Sequence, residues 1–488
     1  VIPATKHEND PAVTASRAVE PLFYRADVPD GRSSKRYQDA GVEYALGRRN
    51  CIIGDQPGVG KSAQGVFISN AEKAKRTLVV CPASLRLNWE REVWLWSTKE
   101  NVRTYPVMKA SDGISADADY TIISYDLLRN HNILDAILDL RWDHVIADEA
   151  HALKDPKGNK RTKPFTAPDL LPNVTGRFSL LTGTLLPNQP IECFNAIRMC
   201  NWDAIDRASL EDFRQFYYAE GGGMIMGKVF DEEKQAYVYK LHWSQKVRNV
   251  PRNLDDLQYR LRKHVMVRRL KEQVLHELPP KQWHPFPLEV TAGIRKALNH
   301  PGWSTAEKLY DLDPEGFVAD IQIDGAVSTA RLELGLAKAP SVIEYIEDLL
   351  ESGVEKVVVG GWHIQVLALM QEKLKKYGLV YMDGRSSDAA KQRAVDAFQQ
   401  NEGVRIILGQ MLPLGEGWTL TRAQDVVLAE PFWVPGKNDQ LLDRCHRLGQ
   451  TQNVIGHIPV VPGTLDERIL ASVIRKDESI HLALDAQG

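Results

Sequence analysis

Gly58, Gly60, Lys61 and Ser62 stand in the run Gly54-Asp55-Gln56-Pro57-Gly58-Val59-Gly60-Lys61-Ser62, between apolar Cys51–Ile53 and a helix-compatible segment through Ile68. Residue types at this spacing bind phosphate. The glycines let backbone N–H groups converge on an anion, and the start of the following helix adds partial positive charge. Lys61 would reach the β- and γ-phosphates and the Ser62 hydroxyl would hold Mg²⁺. Asp55 takes the place where the general phosphate-loop pattern has glycine. A second constellation, Asp148-Glu149-Ala150-His151, follows the apolar run Val145–Ala147. At the carboxyl end of such a strand Asp148 would hold Mg²⁺, usually through water, and Glu149 would orient or deprotonate an attacking water. Together the two stretches predict hydrolysis of a nucleoside triphosphate.

These residues need an α/β frame to bring them together. Short apolar runs at Cys51–Ile53, Thr77–Cys81, Tyr120–Ser124, His144–Ala147 and Phe178–Leu181 alternate with helical segments. Runs that are apolar on both faces imply a parallel sheet covered by helices. Leu85, Trp89, Val93 and Trp96 fall on one helical stripe and are expected to pack in the core. The pattern then repeats, with runs at 356–359, 379–382, 404–408, 425–429 and 453–461 around helical patterns at 341–350, 364–377 and 388–399. Pro340 suits a first helical turn there. The fold class is therefore α/β, with two tandem doubly wound parallel-sheet lobes. Residues 1–34 read as a partly ordered leader, 35–190 as the nucleotide-binding lobe and 191–281 as a mainly helical insertion, broken at Gly221–Gly223, with the return to the first lobe. Residues 282–335 read as an irregular linker and 336–488 as the second lobe.

A chain of 488 residues suits two or three domains. Its formal net charge of −3 argues against a histone-like, generally basic DNA binder, so any nucleic-acid site must be local. No apolar run approaches the roughly 18–20 residues of a membrane span, and no secretion signal is evident. The expectation is a cytoplasmic or nuclear protein that is not secreted and has no membrane partner. Five cysteines without a C-x-x-C pair argue against a disulfide frame or zinc ribbon, and Cys51 and Cys81 are expected to pack in strands.

Further motifs carry a family resemblance. The Asp148–His151 run, Leu181-Thr182-Gly183-Thr184 and the stretch from Gln440 through Asp443-Arg444-Cys445-His446-Arg447 to Gln450 resemble motifs of superfamily-two helicases. The Arg-x-His-Arg-x-Gly-Gln ending is similar to that of the SWI/SNF-type DNA-translocating ATPases. Thr77–Leu85 with Asn88, Trp89 and Glu92, and Arg268-Arg269-Leu270-Lys271 with Leu278-Pro279-Pro280-Lys281, extend the likeness. The stretch Asn253–Leu257 leading into Val267–Lys271 is most similar to the annealing-helicase (HARP-like) branch. The resemblance covers about residues 35–475 and implies RecA-like lobes, ATP and Mg²⁺ as cofactors, and duplex or branched DNA as partner. It further implies work in DNA repair or recombination.

Carried over by position, the resemblance implies that Gln38 recognises adenine, beside Gly58, Gly60, Lys61 and Ser62. Gln440, Arg444 and Arg447 would approach the same nucleotide from the second lobe. For DNA it implies a groove lined by Pro82, Ser84, Leu85, Ser124, Tyr125, Trp362, His363, Gly384, Arg385, Arg393 and Gln410, with the Gln410–Thr421 segment. Such motifs mostly hold phosphates and bind without sequence preference. Arg260, Arg262, Lys263, Arg268, Arg269 and Lys271 read either as added basic surface or as a solvated helix face. His363 and His446 read as polar-network residues. Gln56, Leu185 and Glu416-Gly417-Trp418 depart from the family pattern. Three functions stay open: a duplex-tracking motor, a strand-separating DNA or RNA helicase, and a binding module or motor subunit of a nuclease complex.

Overall fold

The computed structural model describes residues 10–467 except 156–159, 184, 187–188, 206–208, 232–235, 313–324, 416, 432–434 and 465–466. In chain order its strands are β1 (Cys51–Ile53), β2 (Thr77–Cys81), β3 (Thr104–Pro106), β4 (Tyr120–Ser124) and β5 (Trp142–Asp148). They continue with β6 (Thr175–Leu181), β7 (Tyr218–Asp231), β8 (Ala236–Pro251), β9 (Met266–Val267) and β10 (Lys281–Pro287). The last five are β11 (Val357–Gly361), β12 (Leu379–Met382), β13 (Ile406–Gln410), β14 (Asp425–Leu428) and β15 (Val454–Val460).

Two parallel sheets result, as the doubly apolar runs predict. The first runs β3-β4-β2-β5-β6-β1-β9 and the second β10-β15-β14-β11-β13-β12. Helices cover both faces, so each central strand is buried on both sides; Cys51–Ile53 and Leu78–Cys81 are fully inaccessible. Cys51 and Cys81 do pack in strands, with their thiols free and buried. Trp89 and Val93 are buried on the predicted stripe, and Trp96 meets Phe67 edge-on at 5.4 Å.

Three expectations between the lobes need correction. Residues 194–200, 210–217 and 254–260 are helical, but 218–251 form the antiparallel ribbon β7–β8. The glycine triplet, read as a helix break, coincides with register shifts in that ribbon, where glycine accommodates a bulge. Residues 282–335 are not an irregular linker. β10 joins the edge of the second sheet in parallel with β15, Lys281 opposite Val454 through Pro287 opposite Val460, and helices Ala292–Leu298 and Pro301–Leu312 follow. An edge strand tolerates prolines such as Pro285 and Pro287, which is why its sequence reads as loop. Pro340 lies inside the long helix Gly325–Glu351 rather than in a first turn. Burial of Leu334, Ala339, Val342 and Ile346 on either side holds that helix through the missing hydrogen bond. In the leader, Pro11–Arg17 is a helix capped by Asp10 and tied to the first lobe by Ser16 Oγ donating to Met266 O at 2.6 Å.

Candidate active site

β1, β5 and β6 all end at one edge of the first sheet, where open parallel sheets present ligand sites. Gly54–Gly60 leaves β1 there and enters helix Lys61–Ala71. Gly58 and Gly60 adopt φ of +88° and +84°, a backbone that favours glycine. The space is also tight. A Cβ on Gly60 would lie 2.4 Å from Gln38 Nε2, one on Gly58 2.8 Å from Arg447 Cγ, and one on Gly183 2.6 Å from Pro57. Gln38 caps helix Arg36–Leu46 and donates to Val59 O at 3.3 Å, so it adjoins the loop. Tyr37 donates to the same carbonyl at 3.0 Å.

Lys61 folds back over the loop, its ammonium donating to Asp55 O at 2.9 Å and Gln56 O at 3.3 Å. Dehydration pushes its pKa down, against the pull of Glu149, Asp55 and Asp148. Asp148 accepts from Trp89 Nε1 at 2.8 Å and from Glu149 N at 2.9 Å. Burial, then the charge of Glu149, raises the Asp148 carboxyl to about 6. Burial alone would also raise Glu149, but the hydrogen bond and charge of His151, then Arg444 and Lys61, hold it well below the carboxylate range. Glu149 stays ionised. It sits in the left-handed region at φ 49°, a strained backbone that turns its side chain toward the loop's Lys61 charge.

The donor set fits Mg²⁺ with a nucleotide. Asp148 is a carboxylate whose raised pKa a nearby cation would lower, and Ser62 is partly exposed in the first turn of the loop's helix. These two residues would hold the ion, which would supply charge neutralisation on the phosphates.

Across the cleft, helix Pro435–Cys445 and its continuation deliver the second lobe's residues. Arg444 is buried, donates Nε to Gln440 O at 3.1 Å and brings Nη2 to 3.7 Å from Glu149 Oε1. Arg447 donates Nε to Asp443 O at 3.2 Å and Nη1 to Thr419 Oγ1 at 3.3 Å, with its aliphatic stem against Gly58. Gln440 is buried one turn before Arg444. Thr184 and Glu416 lie outside the described residues.

The residues suggested for DNA separate into two groups. Trp362, His363, Gly384, Arg385 and Gln410 gather at the carboxyl edge of the second sheet. Gln410 accepts from Gly384 N at 3.0 Å and donates to Trp362 O at 3.2 Å, and Arg385 donates Nε to Asp383 at 3.0 Å. Glu430 holds this edge by accepting from Trp362 N at 3.0 Å and from His363 N at 2.9 Å, with His363 Nδ1 at 2.6 Å. Arg393 is exposed on the neighbouring helix Asp388–Gln400. In the first lobe Pro82 is half-buried, while Ser84, Leu85, Ser124 and Tyr125 are buried. Tyr125 donates its hydroxyl to Asp148 O at 2.8 Å, Ser124 Oγ accepts from Leu127 N at 3.2 Å, and Leu85 meets Gly417 of the second lobe.

The basic cluster divides: Lys263 and Arg260 keep partly exposed side chains, and the other four turn inward. Arg262, Arg268, Arg269 and Lys271 are buried, because β9 completes the first sheet and carries them behind the phosphate loop. Arg268 Nη1 donates to Gly54 O at 2.6 Å and Gly183 O at 3.1 Å. Arg269 forks onto Asp55, with Nε to Oδ1 at 2.8 Å, and Gln64 Nε2 donates to Asp55 Oδ2 at 2.9 Å. That accounts for the acid in place of the usual glycine: Asp55 ties the loop to the segment after β9. Burial opposes its ionisation, yet Arg269 and Gln64 keep its pKa below the ordinary value. Arg269→Leu would strand this buried carboxylate and is expected to destabilise the protein by about 3–5 kcal/mol in chemical denaturation. A loss below about 1 kcal/mol would mean that the pair anchors nothing. Gln56, which departs from the family acid, accepts from Lys271 N at 2.8 Å, a role that needs only an oxygen. Of the other departures, Leu185 and Trp418 are buried in the core.

The sequence model of the SNF2-related domain matches residues 37–327, and that of the helicase conserved C-terminal domain matches 341–449. The chain is 30% identical over 461 residues to the SWI/SNF-related matrix-associated actin-dependent regulator of chromatin subfamily A-like protein 1 of Xenopus tropicalis, covering 93% of this chain and 45% of that protein. It is likewise 30% identical over 461 residues to the mouse (Mus musculus) protein named DNA annealing helicase and endonuclease ZRANB3, covering 92% and 41%. The chain thus spans less than half the length of these curated relatives. Among solved structures, the Sulfolobus solfataricus SWI2/SNF2 ATPase core in complex with dsDNA aligns over 96% of this chain and 99% of its own, at 20% identity and a TM-score of 0.40.

Proposed function

The chain belongs to the SNF2-related family, and from that premise we propose that it is a DNA-dependent ATPase that tracks duplex DNA and remodels DNA structures. The observation that carries this reading is the meeting of Arg444 from the second lobe with Glu149 from the first, 3.7 Å apart beside the phosphate loop. A cleft whose catalytic set is complete only when two lobes meet couples hydrolysis to their relative motion. ATP would lie between Lys61 and Ser62 on one side and Arg444 and Arg447 on the other, with Gln38 at the base end. Glu149 would take the proton of the attacking water, and the arginines would stabilise charge spreading over the transferring phosphoryl group.

DNA would lie across the outer edges of the two lobes, where Trp362, Gly384, Arg385 and Gln410 stand at the ends of β11, β12 and β13. The exposed arginines Arg385 and Arg393 suit phosphates rather than base edges. The relatives named DNA annealing helicase and endonuclease support a task in rejoining DNA strands, for which branched DNA is the proposed substrate. The test compares ATP hydrolysis with duplex DNA, single-stranded DNA and structured RNA. Strong stimulation by duplex DNA is expected. Stimulation by RNA alone would replace this reading with a strand-separating RNA helicase.

A further inference from the structure

Behind the phosphate loop a buried ionic cluster joins the two lobes. Lys271 follows Arg269 on the first-lobe side, and its backbone N–H is held by Gln56 Oε1 of the loop at 2.8 Å. Its ammonium crosses to the second lobe and finds three acceptors there: Asp443 Oδ1 at 2.7 Å, His446 O at 2.5 Å and His446 Nδ1 at 3.2 Å. Lys281 adds a second ammonium, 3.0 Å from Asp443 Oδ1 and 3.2 Å from Asp439 Oδ1. His446 is pinned from the far side by Pro279 O at 2.6 Å. Asp443 and His446 flank the arginines of the cleft. Asp443 immediately precedes Arg444 and its carbonyl accepts from Arg447 Nε, while His446 immediately precedes Arg447.

We propose that Lys271 is a positioning residue that registers the arginine-bearing segment of the second lobe against the phosphate loop when the lobes close. One residue touches the loop through its main chain and the arginine segment through its side chain, so neither can shift alone. Lys271 and Asp443 side chains are only 5% and 6% exposed. A buried pair of this kind is favourable only with its hydrogen bonds filled, which makes it specific to one lobe arrangement. Parting the lobes would return the Lys271 ammonium to water and leave Asp443 with Lys281 of its own lobe. The pair therefore opposes opening weakly when hydrated and fixes geometry when dry. A role confined to folding would also bury a lysine, but it would not require the acceptors to come from the opposite lobe beside both arginines.

This inference rests on the ATPase reading for its kinetic arm and on geometry alone for its structural arm. The test uses the full chain with dyes on Asp135→Cys and Lys373→Cys, exposed positions on the two lobes, the five native cysteines being buried. Lys271→Met is expected to lower DNA-stimulated kcat about tenfold or more while ATP affinity stays within about threefold, and to deplete the closed, high-transfer population. Asp443→Asn should act in the same direction, the double variant should be no worse than Lys271→Met, and Lys271→Arg should restore part of the loss. Should Lys271→Met not fold, Asp443→Asn carries the test from the other lobe. A kcat within twofold of wild type and an unchanged closed population in either variant would overturn the proposal, as would additive losses in the double variant. A wild-type protein that does not hydrolyse ATP would reject the ATPase reading, while the energy-transfer arm would still decide this one.

Discussion

Glu149→Gln should bind ATP as tightly as the wild-type protein and hydrolyse it about 10²–10⁴-fold more slowly, the usual contribution of a positioned general base. The substitution keeps the side chain's shape and removes its proton acceptor. In the wild-type protein the surroundings hold Glu149 ionised, and the amide that replaces it does not titrate, so no change of pH between 6 and 8 should rescue the variant. Lys61→Ala should instead lose ATP binding, because it removes the ammonium that lies over the loop. Single-turnover hydrolysis and binding of a fluorescent ATP analogue separate the two outcomes. Wild-type turnover in Glu149→Gln would remove Glu149 from the role of base.

Arg444→Ala is expected to cost on the order of 10³-fold or more in turnover, as withdrawal of an arginine finger does. It is the guanidinium closest to Glu149 and is almost fully buried in the cleft. Arg447→Ala should also slow hydrolysis, and by less, since its guanidinium is engaged with Gly417 and Thr419 while its stem covers Gly58. DNA affinity should change little in either variant. The reverse ranking, with Arg444→Ala nearly silent, would mean that hydrolysis takes place in a different arrangement of the lobes.

The sequence made the two sheets legible because central parallel strands are apolar on both faces, and runs such as Thr77–Cys81 and Tyr120–Ser124 coincide with the observed strands. It failed where a strand carries prolines, as in Lys281–Pro287, or where a two-residue strand such as Met266–Val267 is too short to have a period. That second failure hid the most. Without β9, Arg268, Arg269 and Lys271 look like a basic helix face, whereas the strand turns them inward behind the phosphate loop. Trp89 packs in the core as its apolar stripe predicts, and only the fold adds that its indole N–H donates to Asp148. Gly58, Gly60, Lys61, Ser62, Asp148 and Glu149 were legible because local spacing alone defines their chemistry. Arg444 was reached only through the motif resemblance, and Arg269, which holds Asp55 from a segment about two hundred residues away, is reported by no local pattern.

The most direct test of a duplex-tracking motor is ATP-driven displacement of a third strand from a DNA triplex, run beside a plain forked duplex. A motor that follows the duplex by its phosphates strips the third strand without parting the pairs beneath it, so displacement should require ATP hydrolysis, vanish in Glu149→Gln and leave the forked duplex annealed. Efficient unwinding of the forked duplex with the triplex untouched would contradict it.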